Sequence, residues 1–279
     1  PGGSPANVAL TLGRLGRPVA LATWFGADSC GRLIDFHMND SGVYITPASR
    51  GASHTSTALA RLDENGAASY TFDLEWAPTA PIEVPETAQI IEAGSISAII
   101  EPGASAVLDA LARGREHALI FFDPNARPSI MGEPAAALAS LERFIALADV
   151  VKVSDEDIDW LTGGAPIDEV VDRWLGMGPS LVVVTRGKHG SDVATASGLR
   201  FTKTPSDVPV VDTVGAGDSF MGGMIDAMWG MGLRGADARE ALRTLPEEQI
   251  RAIIDRASAV SDVTVSRKGA NPPWAHELS

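Results

Sequence analysis

The segment from Asp212 to Phe220, DTVGAGDSF, concentrates residues whose types and spacing suit chemistry. It leaves an apolar run, VPVV (208–211), and enters a small-residue helical pattern, MGGMIDAMWGMG (221–232). Gly215 and Gly217 let the backbone approach a ligand closely. About three or four N–H groups, from Gly215 through Ala216 and Gly217 to Asp218, point out of the start of that helix and form a hole for an anion such as a phosphoryl group. An aspartate repels phosphate as a ligand, yet beside such a hole it suits a base that takes the proton from an attacking hydroxyl. Asp218 therefore reads either as that base or as a plain N-cap of the helix, a role Asp often fills.

Other phosphate and nucleophile signatures fail. The chain has no G-x-x-x-x-G-K-[ST], and GAGDSF carries Phe220 where a dinucleotide fingerprint needs glycine. Around Ser219, the serine-hydrolase elbow G-x-S-x-G has Met221 at its second glycine. None of His37, His54, His117, His189 and His276 shows metal-ligand spacing. Trp24, Trp160, Trp174 and Trp229 sit inside strand or helix patterns and read as core, whereas Trp76 is the candidate for a contact with a ligand.

The turn at 212–220 needs a rigid frame, and the pattern of the chain supplies one. Apolar, β-branched runs at 18–26, 88–94, 118–124, 149–154 and 180–187 read as buried strands of a mainly parallel sheet. Helical spacing separates them. In SPANVALTLGRLG, Ser4 is the expected N-cap, Pro5 the first helical residue, and Val8, Leu12 and Leu15 one buried stripe. The segments 104–114, 134–148 and 247–263 repeat this spacing, so the fold class is α/β, a three-layer αβα sandwich. The stretch 54–75 differs: two β-prone runs flank Asn65-Gly66, which predicts a hairpin standing outside the sheet as a small β lid.

With 279 residues and a formal net charge of −14, the chain is one domain with no basic surface for nucleic acid or an anionic membrane. Its isoelectric point is about 4.7. The single cysteine, Cys30, allows no internal disulfide, which fits a reducing cytoplasm. No apolar run reaches membrane-spanning length.

Six segments in order, PGGSPANVALTLGRLG, FDPNARP, KVSDEDIDWLTGG, VVVTRGKHG, DTVGAGDSF and SRKGANPPW, resemble the ribokinase (PfkB-type) family of carbohydrate kinases, and within it the fructokinase-like members. The resemblance covers nearly all of 1–279. It implies an ATP-dependent sugar kinase with a small sugar and ATP as partners. Fructose is the expected substrate, with 2-keto-3-deoxygluconate, ribose or a catalytically silent sugar binder as alternatives. By resemblance, Asp218 is the base and the amides of Gly215, Ala216 and Gly217 are the anion hole. Gly2, Gly3 and Asn7 hold the sugar, the glycines by letting the ring approach the backbone. Asn125 and Arg127 follow a strand where a guanidinium can bind sugar or phosphoryl oxygens.

On the nucleotide side, the resemblance implies Thr185, Gly187, Gly269, Ala270 and Asn271. Its metal-associated Asn-x-x-Glu element falls on Ser154 to Asp157, here S-D-E-D, so Asp157 is the acid expected to order water around Mg2+. First-turn acids favoured by the helix dipole are the other reading of Asp155, Glu156 and Asp157. Asp212 is the expected side-chain ligand of a monovalent cation, K+, or else a strand-end acid capping local amides. A homodimer remains an open expectation. In the resembled family a strand and part of the lid precede the Gly-Gly element, so about 30 further residues are expected upstream of Pro1.

Overall fold

Buried β-branched residues build the frame first. The computed structural model describes residues 1–62 and 68–278. In chain order the elements are α1 (Ser4–Arg14), β1 (Val19–Leu21), α2 (Ser29–Asp40), β2 (Val43–Ile45), β3 (Thr57–Leu62), β4 (Ala68–Asp73) and β5 (Ile90–Gly94). There follow α3 (Gly103–Gly114), β6 (Leu119–Asp123), α4 (Pro128–Met131), α5 (Pro134–Ile145), β7 (Val150–Ser154), α6 (Asp155–Thr162) and α7 (Ile167–Met177). The last are β8 (Leu181–Thr185), β9 (Ser191–Thr195), β10 (Arg200–Lys203), α8 (Ala216–Gly230), α9 (Ala238–Arg243) and α10 (Glu247–Val265).

Six strands form the main sheet in the order β10-β9-β8-β7-β6-β5, with β5 to β8 parallel and β9 and β10 added antiparallel. Alternate residues feed opposite faces. Ile120, Phe122, Val151, Val153 and Val184 pack with Leu111, Leu141, Phe144, Ile158 and Trp174 on one side. Phe121, Val150 and Val183 pack with Val8, Phe220, Met224, Ile253 and Ala257 on the other. The three-layer αβα arrangement follows from burying both faces.

The run 18–26 departs from its expected place. Its strand, β1, pairs in parallel only with β2, in a separate two-stranded sheet. The reason is local packing: Leu21, Val43 and Ile45 close a third small core with Leu10 on α1, Met38 on α2 and Phe25 between β1 and α2. A three-residue strand has too little edge to choose its partner by itself, so the helices choose it. The expected hairpin is present as β3 and β4, paired antiparallel from Thr57↔Asp73 to Leu62↔Ala68 and outside the main sheet. Its Asn65-Gly66 turn lies outside the described residues.

Glycines let α8 sit close between α1 and α10. A Cβ on Gly222 would stand 2.6 Å from Thr11 Cγ2, and one on Gly223 only 2.7 Å from the Ala257 Cα. Ten residues of α8 are buried, beginning at Asp218, so packed neighbours anchor the helix from its first turn onward.

Candidate active site

Three side chains from two elements converge on the Asp218 carboxylate. From α1, Ser4 Oγ donates to Oδ1 at 2.7 Å and Asn7 Nδ2 donates to Oδ2 at 2.8 Å. From the loop after β6, Asn125 Nδ2 donates to Oδ1 at 3.2 Å. Asn125 sits at φ 35°, a left-handed conformation that Asn tolerates better than most residues, and its N–H donates to Asp123 Oδ1. Asp218 is 6% exposed. Ser4 is corrected by this geometry: Gly3 is the N-cap of α1, and the Ser4 hydroxyl is turned to Asp218 instead of capping its own helix.

The N-cap reading of Asp218 fails in the same way. Gly215 caps α8 at φ 77°, with no side-chain cap bond, and Asp218 lies in the first turn with its carboxylate turned to α1. A helix start leaves its first amides without intrahelical acceptors. Ala216 N–H is taken by the Thr213 carbonyl at 3.1 Å, while Gly217 and Asp218 stand one turn too early for a helical bond. The Ala216 amide is thus withdrawn from the hole. Space restricts both glycines, and at Gly215 the left-handed φ of 77° does so as well. A Cβ on Gly215 would meet the Ala270 Cβ at 2.6 Å, and one on Gly217 the Lys152 Nζ at 2.6 Å.

Lys152 is the residue that sequence reasoning missed. It lies on β7, is 4% exposed, and pairs with Asp123 Oδ2 on β6 at 2.8 Å. Burial lowers the affinity of Lys152 for its proton, but Asp123, then Asp218 and Asp157, more than restore it, so the ammonium stays charged. Burial also pushes Asp123 up to about 6, against the pull of Lys152. Glu92 on β5 completes this polar floor. Its Oε1 is shut off from solvent with no hydrogen-bond partner, and burial followed by the charges of Asp123 and Asp218 holds its carboxyl well above the usual range. The signal was available in both cases: one charged residue inside an otherwise apolar strand, VVKVS or IIEAG.

A cleft of about 2410 Å³ opens above these groups and runs between β5 and β1. Gly2, Gly3, Asn7, Asn125 and Arg127 line it, as do Asp157, Thr185, Gly187, Gly269, Ala270 and the 215–218 loop. Trp76 also lines it, its Nε1 donating to the Ser97 carbonyl. Arg127 is exposed, with its guanidinium on the Ala126 carbonyl at 2.8 Å. Thr185 Oγ1 donates to the Val153 carbonyl. Asp157 accepts from the Ala126 N–H at 2.9 Å and the Ser154 N–H at 3.3 Å, within a capping box on α6.

Two expected residues stand apart from this lining. Asn271 is turned to α1, where its Oδ1 accepts from Arg14 Nη1 at 2.6 Å; a short amide beside a guanidinium is drawn into that charge-assisted bond rather than into the cleft. Asp212 accepts from the Gly269 N–H at 2.8 Å and the Val214 N–H at 3.0 Å, which hold its carboxyl below the usual range.

Residues 1–277 match the family described as pfkB family carbohydrate kinase. A fructokinase of Rhizobium leguminosarum bv. trifolii is 34% identical over 234 residues, covering 81% of this chain and 71% of that protein. A Vibrio cholerae O395 fructokinase with fructose, ADP and calcium ion bound superposes with a TM-score of 0.80 at 29% identity, over 97% of this chain and 86% of that one. A Xylella fastidiosa fructokinase with bound ATP gives 0.82 at 26% identity, over 99% and 89%. With the matched residues running across both the α1 and the α8 ends of the site, the chain belongs to the pfkB family of carbohydrate kinases.

Proposed function

We propose that this protein transfers the γ-phosphoryl group of ATP to the primary 6-hydroxyl of fructose. The observation that carries this reading is the pairing at the start of α8 of a buried carboxylate with open helix amides. Asp218 takes the hydroxyl proton, and Ser4, Asn7 and Asn125 fix the direction of its oxygens. The amides of Gly217 and Asp218 face the charge that builds on the moving phosphoryl. Gly2, Gly3, Asn7, Asn125 and Arg127 form the sugar side of the site, and Thr185, Gly187, Gly269 and Ala270 the nucleotide side. The hairpin of β3 and β4 serves as a lid over the sugar.

Among the described residues, no three His, Cys, Asp or Glu side chains assemble into a metal site. Mg2+ would be held by water and the nucleotide phosphates, with Asp157, which lines the cleft, ordering the water. When bound, the ion supplies positive charge to the phosphate oxygens. Asp212, kept ionised by its two amides, suits K+ beside the 269–270 turn. Among the described residues no helix is long and apolar enough to cross a membrane, and a cytoplasmic setting accords with the one exposed cysteine. Exposed Leu33 and Phe36 on α2 and Tyr44 on β2 support a homodimer, which light scattering tests.

ADP release measured across fructose, ribose and 2-keto-3-deoxygluconate tests the substrate. Fructose is expected to give the highest kcat/KM. Faster turnover of another sugar overturns the substrate assignment, and ADP release with none of them overturns the kinase reading.

A further inference from the structure

Of the described buried charged groups beneath the site, the ammonium of Lys152 is the one cation, and phosphoryl transfer as described gives it no role. It lies in the middle of an apolar strand, between Val151 and Val153, and among the described buried residues it is the only cation. A buried ion pair is a poor stabiliser, since apolar residues of the same volume do as well or better in its place. Stability is thus a weak account of why a lysine stands here.

Its position says more. Nζ, the far end of the side chain, lies close enough to Gly217 that a Cβ there would come within 2.6 Å, while Cε is at 4.0 Å. The charge therefore abuts the second glycine of the anion hole from beneath. The surrounding groups are acidic: Asp123 is paired with it at 2.8 Å, and the field of Asp157 and Asp218 reaches it too. A phosphoryl group entering between these carboxylates meets repulsion that two or three amide dipoles offset only in part. Arg127, the other cation on the sugar side, is exposed with its guanidinium on the Ala126 carbonyl, so its charge is screened by water. Lys152 is fixed and dry.

We infer that Lys152 is a positioning residue for phosphoryl transfer: its buried ammonium underlies Gly217, holds the 215–218 loop in register and supplies the fixed positive charge of the anion hole. The inference deepens the kinase reading and rests on it. Lys152 acts through the loop, while Asp123 serves to keep it aimed and charged.

Steady-state kinetics with ATP and fructose, together with thermal melting, test this on Lys152→Met, Asp123→Asn and the double variant. Lys152→Met is expected to lower kcat by about a hundredfold with the sugar KM changed less than about threefold. It also lowers Tm, because Asp123 is left buried and unpaired. The double variant removes both charges, so it regains Tm without regaining kcat. That split supports the inference even where Lys152→Met alone fails to fold. A double variant whose kcat lies within about threefold of wild type overturns it, since Lys152 was then only a partner for Asp123. Wild type assayed alongside separates the two readings. If it phosphorylates no sugar, the proposed function falls and this role with it; if it is active while the double variant is equally active, only the role of Lys152 falls.

Discussion

The starts of α6 and α8 invite comparison, because each follows the sheet and each carries an aspartate in its first turn. At α6 the chain closes the helix on itself. Ser154 Oγ accepts from the Asp157 N–H at 3.0 Å, Asp157 returns a bond to the Ser154 N–H, and those two amides are taken. At α8 the cap is a glycine at φ 77° with no side chain to offer, and the aspartate is drawn away by Ser4 and Asn7. One aspartate stabilises its helix; the other is released from that duty and faces the cleft. A helix start left uncapped in a buried place keeps its dipole and amides for an anion. The acid at α8 can therefore act as a base, while the acid at α6 is restricted to ordering what lies near it.

This contrast can be broken at α8 with the largest effect. Asp218→Asn keeps the shape and the acceptor oxygen but not the basicity, so kcat is expected to fall by about a hundredfold or more while fructose and ATP still bind. Near wild-type turnover in that variant, measured by ADP release, removes Asp218 from the role of base. Gly217→Ala comes next. Its Cβ presses on Lys152 Nζ, and since that ammonium is pinned by Asp123, the loop has to move; kcat is expected to fall by about tenfold with little change in Tm.

How much of this was legible beforehand follows from the physics of each signal. Periodicity placed β5 to β8 and the helices α1, α3, α5 and α10, because burial of one face or two leaves a repeating mark in sequence. The Gly-Ala-Gly-Asp turn was legible because glycine next to an acid at a helix start has few structural uses. The partner of β1 was not, since the small core of Leu10, Met38 and Ile45 is assembled from distant segments. Ser4 looked like a cap because its type is right for one; only the approach of α8 turns its hydroxyl elsewhere. Asn271 and Arg14 lie far apart in the chain, and their bond has no local signature.

At α6 the same comparison predicts a different symptom. Ser154→Ala removes the cap acceptor, so a loss of about 1 kcal/mol in unfolding free energy is expected from denaturant melts. An unchanged midpoint would mean that the capping box adds nothing. A second capped start, α2, gives the smallest effect. Asp28 accepts from Gly31 N–H, Thr55 N–H and Thr55 Oγ1, which lower its carboxyl to about 2. Its folded pKa is depressed, so its contribution is complete above about pH 4 and is lost as pH falls toward 2. Proton titration by NMR checks the value; an Asp28 that titrates near 4 contradicts the bonds to Thr55.

The central claim is that the uncapped start of α8 moves a phosphoryl group onto a sugar hydroxyl. Phosphorus NMR of a single turnover, with wild type and Asp218→Asn at equal concentration beside ATP and fructose, tests it most directly. The account predicts fructose 6-phosphate and ADP in equal amounts from wild type, and ATP left intact by the variant over the same interval. Inorganic phosphate in place of the sugar phosphate, or equal sugar phosphate from both proteins, would contradict it.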